Sequence, residues 1–252
     1  MPRAIVLVPG FWEGPGSYEP LKATLEAALD GDGVTVHSAS LRSTGTKPPG
    51  NPTLSDDIAS LHSQIEEIVE KNANASSIAD QEVNILLVLH SAAGFIGSNA
   101  MQGLGAPERV AAGKRGGVAR ILFLAAGVAP LGSDQFGGPF IIDQDDGTCV
   151  CRDSISVLFH DLPASEAEKW QSKLDSQPTV DNWKSPITYC GWRHVPSAYV
   201  ICEGDRLLPA ELQEKMAGFA GSDIVRLDAG HMAHLSKTQE LADVIVEQMK
   251  KL

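Results

Sequence analysis

No stretch of this sequence approaches the ~18 consecutive apolar residues that a membrane-spanning helix requires, so no membrane partner is expected. Basic residues are scarce as well: 20 Lys and Arg stand against 32 Asp and Glu, a formal charge of -12. A nucleic-acid-binding face needs concentrated positive charge. The one basic cluster, GKRGG at 113–117, is too short to supply it and reads as a solvated loop, so no nucleic-acid partner is expected. Cysteine is rare too. Cys149, Cys151, Cys190 and Cys202 do not make a disulfide framework, and C-x-C lacks the C-x-x-C spacing of zinc and redox sites. H-x-E and H-E-x-x-H are missing, so neither a metal nor another cofactor is expected. The apolar run within MPRAIVLVPG is shorter than a secretory core region and no small-residue cleavage site follows it, which points to a cytoplasmic protein. In that compartment the Asn74-Ala75-Ser76 sequon carries no weight.

What the sequence does hold is a rhythm. Short apolar, β-branched runs recur at 4–9, 34–41, 83–90, 120–127, 198–204 and 223–230. They are continuous rather than alternating, which predicts strands buried on both faces. Between them lie helical patterns. Ile58, Leu61, Ile65 and Ile68 keep helical spacing over 54–71 behind a Thr53 cap. Leu241, Val244, Ile245 and Met249 do so over 237–250, with Ser236 and Gln239 at capping-box spacing. Alternation of this kind predicts an α/β fold with a mostly parallel central sheet and helices on both faces. Residues 1–127 and 197–252 form the core of a single domain, interrupted by a long connection over 128–196. That segment contains a helix marked by Ser165 and Glu168 and carries Phe136, Phe140, Phe159, Trp170, Trp183 and Trp192. Its expected role is a helical lid over the strand ends, where ligands bind in parallel sheets. Several of these aromatics would equally serve to pack the lid onto the body.

LLVLHSAAGF, at 86–95, is where chemistry first enters. A buried strand ends at His90, Ser91 follows, and small residues open a helix. The serine is either a nucleophile on a strand-to-helix elbow or a strand-end serine. G-x-S-x-G is only partly met, because Leu89 and Ala93 occupy the glycine positions. The rest of the chain favours the nucleophile. Asp205 follows the run at 198–204 and His231 follows the run at 223–230, giving the chain order Ser, Asp, His. Serine needs an imidazole to accept its proton, and the imidazole needs a carboxylate to fix its tautomer. Glu203 competes for the acid and His234 for the base. An oxyanion hole needs two amides. Ala92 would give one, and Phe11, freed to turn by Gly10 in VPGFWEGPG, the other. Trp12 is either a pocket wall or plain packing.

These segments together resemble the α/β-hydrolase superfamily, in the branch of plant methyl esterases, hydroxynitrile lyases and fungal serine hydrolases. The likeness runs through VLVPGFW, VLHSAAG, GGVARILFLAAGVAPLG, FHDLPASEAEKW, AYVICEGDRLLPAELQEKM and AGHMAHLSKTQELADVI. Carried over, the family's motifs fall on Pro9-Gly10, His90-Ser91, Asp205 and Gly230-His231. Gly94 matches the elbow, whereas Leu89 and Ala93 depart from it. Met232 takes the place where lyases of this branch have lysine, as in the methyl esterases. The resemblance implies that Gly10, Trp12, His90 and Met232 border the substrate.

The expected activity is cofactor-independent hydrolysis of a small or medium hydrophobic carboxylic ester or lactone, through an acyl-enzyme on Ser91. Two alternatives stay open. One is a ligand-binding protein on a hydrolase scaffold with little turnover, for which Leu89 is the best support. The other is a lyase-type or secondary-metabolite catalyst. A homodimer is also left open.

Overall fold

A computed structural model of the chain describes residues 3–47, 50–75, 84–134 and 137–252. In its first half, β1 (Arg3–Val8), α1 (Glu19–Ala28), β2 (Val34–Ser38), α2 (Leu54–Ala75) and β3 (Asn84–His90) precede α3 (Ala93–Ala100), α4 (Ala106–Ala111) and β4 (Gly117–Leu124). The connection that comes next holds β5 (Ile141–Asp143), β6 (Thr148–Cys151), α5 (Ser154–Leu158), α6 (Ala164–Gln171) and β7 (Gln177–Pro178). The chain ends with β8 (Ser197–Cys202), α7 (Ala210–Ala220), β9 (Asp223–Leu227), α8 (Ala233–Ser236) and α9 (Thr238–Met249).

Six parallel strands form the central sheet in the order β2-β1-β3-β4-β8-β9. Successive side chains of a strand point to opposite faces, and the core divides accordingly. Val6, Val8, Leu87, Leu89, Phe123 and Ile201 pack with α2, α3 and α7. Ile5, Leu7, Leu86, Val88, Leu122 and Val200 pack with α1 and α9 on the other side. The same parity sets the side-chain directions at the end of β3. Leu89 faces α3, and His90 faces the side of α1 and α8.

Helix α2 starts as the sequence predicts: Thr53 Oγ1 accepts the Asp56 amide (3.3 Å), and Asp56 Oδ2 accepts the Thr53 amide (2.8 Å). Other expectations need correction. Strands β2 and β9 are the sheet edges and leave side chains half-buried or exposed, because each has a neighbour on one side only. Ser236 does not cap α9; it ends α8, where its hydroxyl reaches the Met232 carbonyl. Ser165 lies inside α6, which starts after Pro163. The connection over 128–196 is not purely helical, since β5, β6 and β7 pair into a small antiparallel sheet beside α5 and α6. Phe136 lies outside the described residues, as do Val83 and part of the sequon. All four cysteines are free and buried. Among the described residues, no helix is long and apolar enough to cross a membrane.

Candidate active site

Ser91 occupies the turn between β3 and α3 in a left-handed conformation, φ +51°. A non-glycine residue held there costs on the order of 1–3 kcal/mol and persists only where its surroundings fix it. Here they do. Its amide donates to the Leu124 carbonyl (3.1 Å), and its carbonyl accepts the amides of Gly94 (3.1 Å) and Gly127 (2.9 Å). Gly94 matters for a second reason: a Cβ there would stand 2.1 Å from the Gly127 oxygen, so α3 could not approach β4 this closely. The departure at Leu89 is absorbed in the same way. Its side chain lies over Gly97 of α3, in the space a Cβ would fill.

Three loops at the carboxyl edge of the sheet bring Ser91, His231 and Asp205 together. His231 Nε2 lies 3.0 Å from Ser91 Oγ, and His231 Nδ1 donates to Asp205 Oδ2 at 2.8 Å. Asp205 Oδ1 accepts the amides of Leu207 (2.7 Å) and Leu208 (2.9 Å). Burial works against the charge on Asp205, but His231 and these amides outweigh it and hold the carboxyl below the ordinary aspartate range. Burial likewise opposes the His231 imidazolium. The charge and hydrogen bond of Asp205, with Glu13 and Asp161 farther off, reverse that and raise its pKa above the usual histidine value. Such an arrangement can draw the proton from Oγ as the oxygen attacks a carbonyl and can stabilise the imidazolium that results.

Gly10 lies directly against the serine: a Cβ on residue 10 would stand 2.7 Å from Ser91 Cβ and 3.3 Å from Oγ. Phe11 and Ala92 therefore flank the hydroxyl. Among the described residues neither amide makes a backbone hydrogen bond. Ala92 also caps α3, so its N–H belongs to the positive end of a helix. The competing sequence candidates go elsewhere. Glu203 pairs with exposed Arg226 (3.2 Å), and His234 is buried against Tyr18, their rings stacked 4.3 Å apart.

A cavity of about 870 Å³ opens over Ser91 and Ala92, within the range of small-molecule sites. Phe11, Trp12, Phe95, Phe140, Leu208 and Met216 give it a mostly apolar wall, which the segment between β4 and β8 completes. Trp12 is thus both wall and packing, since its Nε1 donates to the Cys149 carbonyl (3.1 Å). Of the other aromatics in that segment, Phe159 and Trp183 are buried and Trp192 packs edge-on against Phe219. Trp170 and Met232 instead line a smaller cavity of about 320 Å³, which Trp12 also borders. Gly10 sits beneath the serine rather than on a wall. His90 does not border the large cavity either; it is fully buried, because its parity on β3 turns it behind His231.

Behind His231 lies a group the sequence does not announce. His90 Nε2 donates to the His231 carbonyl (3.0 Å), while His90 Nδ1 stands 2.9 Å from Glu13 Oε1. His234 Nε2 stands 3.3 Å from Glu13 Oε2. Glu13, His90 and His234 offer ligand atoms within 4.8 Å of one another. The 2.9 Å contact, however, is shorter than the roughly 3.3 Å that two ligands keep on a tetrahedral zinc with ~2.0–2.1 Å bonds. That separation fits direct contact between the two side chains. Two further positioning groups were equally silent. Gln213 receives the Cys202 amide (3.0 Å) and donates to Asp205 Oδ2 (3.2 Å), and Asp161 Oδ2 accepts the Gly230 amide (2.6 Å). Gln213 left one trace: it falls in phase with buried Ala217 and Ala220 on α7, a polar residue where the helix turns inward.

The whole chain finds relatives. An alpha/beta hydrolase from Aspergillus novofumigatus, nvfD, is 28% identical over 259 residues, covering 98% of this chain and 95% of the relative. Tomato methylketone synthase I, solved with 2-tridecanone, superposes with a TM-score of 0.70 at 14% identity, covering 99% of this chain and 98% of that one. An Arabidopsis methylesterase superposes with a TM-score of 0.67 at 17% identity, over 100% of both chains. At such identities the two structures speak for the fold. The model of the alpha/beta hydrolase family matches residues 5–244, and the chain belongs to that family.

Proposed function

We propose that this protein is a cofactor-independent serine hydrolase that cleaves a hydrophobic carboxylic ester or lactone through an acyl-enzyme on Ser91. One observation carries the proposal: a single buried imidazole lies 3.0 Å from the Ser91 hydroxyl and 2.8 Å from the Asp205 carboxylate. As Ser91 Oγ attacks the carbonyl carbon, its proton passes to His231 Nε2. The carbonyl oxygen becomes an oxyanion held by the amides of Phe11 and Ala92. Asp205 stabilises the imidazolium, which then protonates the leaving alkoxide. For a lactone that alkoxide stays attached to the acyl group. Water, deprotonated by His231, releases the acid and restores the serine.

The apolar cavity over Ser91 suits a medium-sized hydrophobic acyl or alcohol group. A ligand-binding protein without turnover drew its support from Leu89. With that side chain seated over Gly97, the elbow keeps its geometry and the support falls away. The test is labelling with a fluorophosphonate, read by intact mass. Wild type is expected to gain one adduct and Ser91→Ala none; an unlabelled wild type that is also silent toward p-nitrophenyl acetate would sink the proposal. Lactones and aryl esters are then the substrates to screen.

A further inference from the structure

We propose that His160 and Asp161 are positioning residues for this reaction: from the segment between β4 and β8 they clasp the backbone just before the acid and just before the base, and so hold Asp205 and His231 in register with Ser91. The inference rests on the serine-hydrolase reading above and gives that segment a part beyond walling the cavity.

The FHDLP stretch at 159–163 links α5 to α6. The Leu162 amide donates to the Phe159 carbonyl (3.0 Å), which closes a turn with His160 and Asp161 at its two central positions. Phe159 roots that turn. It is buried in an apolar cluster that includes Trp12, Leu207 and Met232, one residue each from the oxyanion, acid and base loops.

Both central side chains reach the catalytic loops. Asp161 Oδ2 accepts the amide of Gly230, the residue before His231, at 2.6 Å. His160 Nε2 donates to the carbonyl of Gly204, the residue before Asp205, at 2.8 Å. A backbone amide only donates and a carbonyl only accepts, so the direction of each bond is fixed whatever the titration state of the side chain. The Gly204 amide donates in turn to the Ala229 carbonyl (2.9 Å). The peptide group joining Ala229 to Gly230 is thus held at both polar atoms, its oxygen by the acid loop and its N–H by Asp161.

Gly230 is fitted to this contact. Its φ lies outside the left-handed region that would itself call for glycine. Proximity is the reason instead: a Cβ there would stand 2.6 Å from Asp161 Oδ1, 2.8 Å from Cγ and 3.0 Å from Oδ2. Asp161 Oδ1 is buried and has no hydrogen-bond partner among the described residues. A surface aspartate would turn that oxygen to water; here it is pressed against Gly230 at the cost of its hydration. Neither His160 nor Asp161 borders the two cavities described above. Their effect on the reaction therefore runs through the loops rather than through substrate contact. A shift of the Ala229–Gly230 peptide would carry the His231 ring away from its 3.0 Å contact with Ser91 Oγ.

The test separates a clasp on the catalytic loops from a tie that merely holds the segment down. Asp161→Ala removes the acceptor, whereas Asp161→Asn keeps one oxygen. The first is expected to lower kcat about 10- to 100-fold with KM little changed, and the second to recover most of that loss. His160→Ala breaks a more exposed bond, one that competes with water, and should lower kcat roughly 3- to 10-fold. His160→Gln still donates and should recover it. Amide hydrogen exchange, which needs no turnover, is expected to show Gly230 protected in wild type and exchanging at least ~10-fold faster in Asp161→Ala. Wild-type kcat in Asp161→Ala, with only its thermal stability lowered, would overturn the proposal. So would an Asn variant no more active than the Ala variant, or a Gly230 amide that exchanges freely in wild type. Should Asp161→Ala fail to fold, the His160 pair decides: a kcat that does not fall in His160→Ala, or does not return in His160→Gln, sinks the clasp. If Ser91 takes no fluorophosphonate label, the hydrolase reading falls, while exchange at Gly230 still reports whether Asp161 holds the base loop.

Discussion

Leu89 and Gly97 are complementary: the leucine that replaces a small residue at the elbow occupies the space above a glycine on the facing helix, its Cδ2 2.2 Å from where a Cβ would be. Strand β3 and helix α3 need close approach for the elbow to form, and here the helix rather than the strand supplies the missing side chain. Gly97→Ala should therefore overpack the contact and cost about 1–3 kcal/mol, read as a lower urea midpoint. Because α3 carries the Ala92 amide at its start, kcat should fall as well. Adding Leu89→Gly to that variant should restore activity, which loss of an unrelated contact would not allow.

Much of this architecture was legible in the chain, and the reason is physical. Buried strands such as β1, β3 and β4 must be apolar on both faces, so their runs stand out, and Thr53 announces α2 through the chemistry of its cap. The order of Ser91, Asp205 and His231 at strand ends carried the site. What stayed hidden depends on contacts between distant segments. Glu13, Asp161 and Gln213 are unremarkable polar residues until folding sets them against His90, Gly230 and Asp205. The parity of β3 could have placed His90 away from the cavity, since it alternates with Leu89 toward the opposite face. Ser165 and Ser236 mislead for the opposite reason: capping-box spacing is local, and the packing of neighbouring elements chose other helix starts.

Gly10 supplies a second mutational test. Its missing side chain leaves room for Ser91 Cβ at 2.7 Å and Glu13 Oε1 at 3.0 Å from an added Cβ. In Gly10→Ala either the serine or the loop bearing the Phe11 amide must shift. A displacement approaching ~1 Å in such a site costs about 100-fold in rate. The expected outcome is a folded protein with near-native thermal stability and kcat reduced by about that factor, while an ester-shaped inhibitor that does not use the oxyanion amides binds as in wild type. Unchanged kcat would remove Phe11 from the oxyanion hole.

The His231–Asp205 pair makes activity and stability slope in opposite directions with pH. His231 must be neutral to accept the serine proton, and although burial opposes its charge, Asp205 raises its pKa above the ordinary ~6.5. The rate kcat/KM should thus climb with pH through a limb lying above that value. The stability contributed by His231 follows the reverse course. It is fully present below the unfolded pKa and is lost as pH rises through the higher folded one. Asp205, held below the usual aspartate range, stays ionised throughout this window, and its own contribution fades only in acid, as pH falls from ~3.9 toward its folded pKa. His234, pushed down to about 3, does not titrate here. Asp205→Asn removes the charge and presents a donor or acceptor of the wrong kind to Nδ1. It should lower kcat by about 10³- to 10⁴-fold, move the surviving acid limb to lower pH and flatten the decline in stability above neutrality. A limb that stays in place in Asp205→Asn would mean that another group governs the profile.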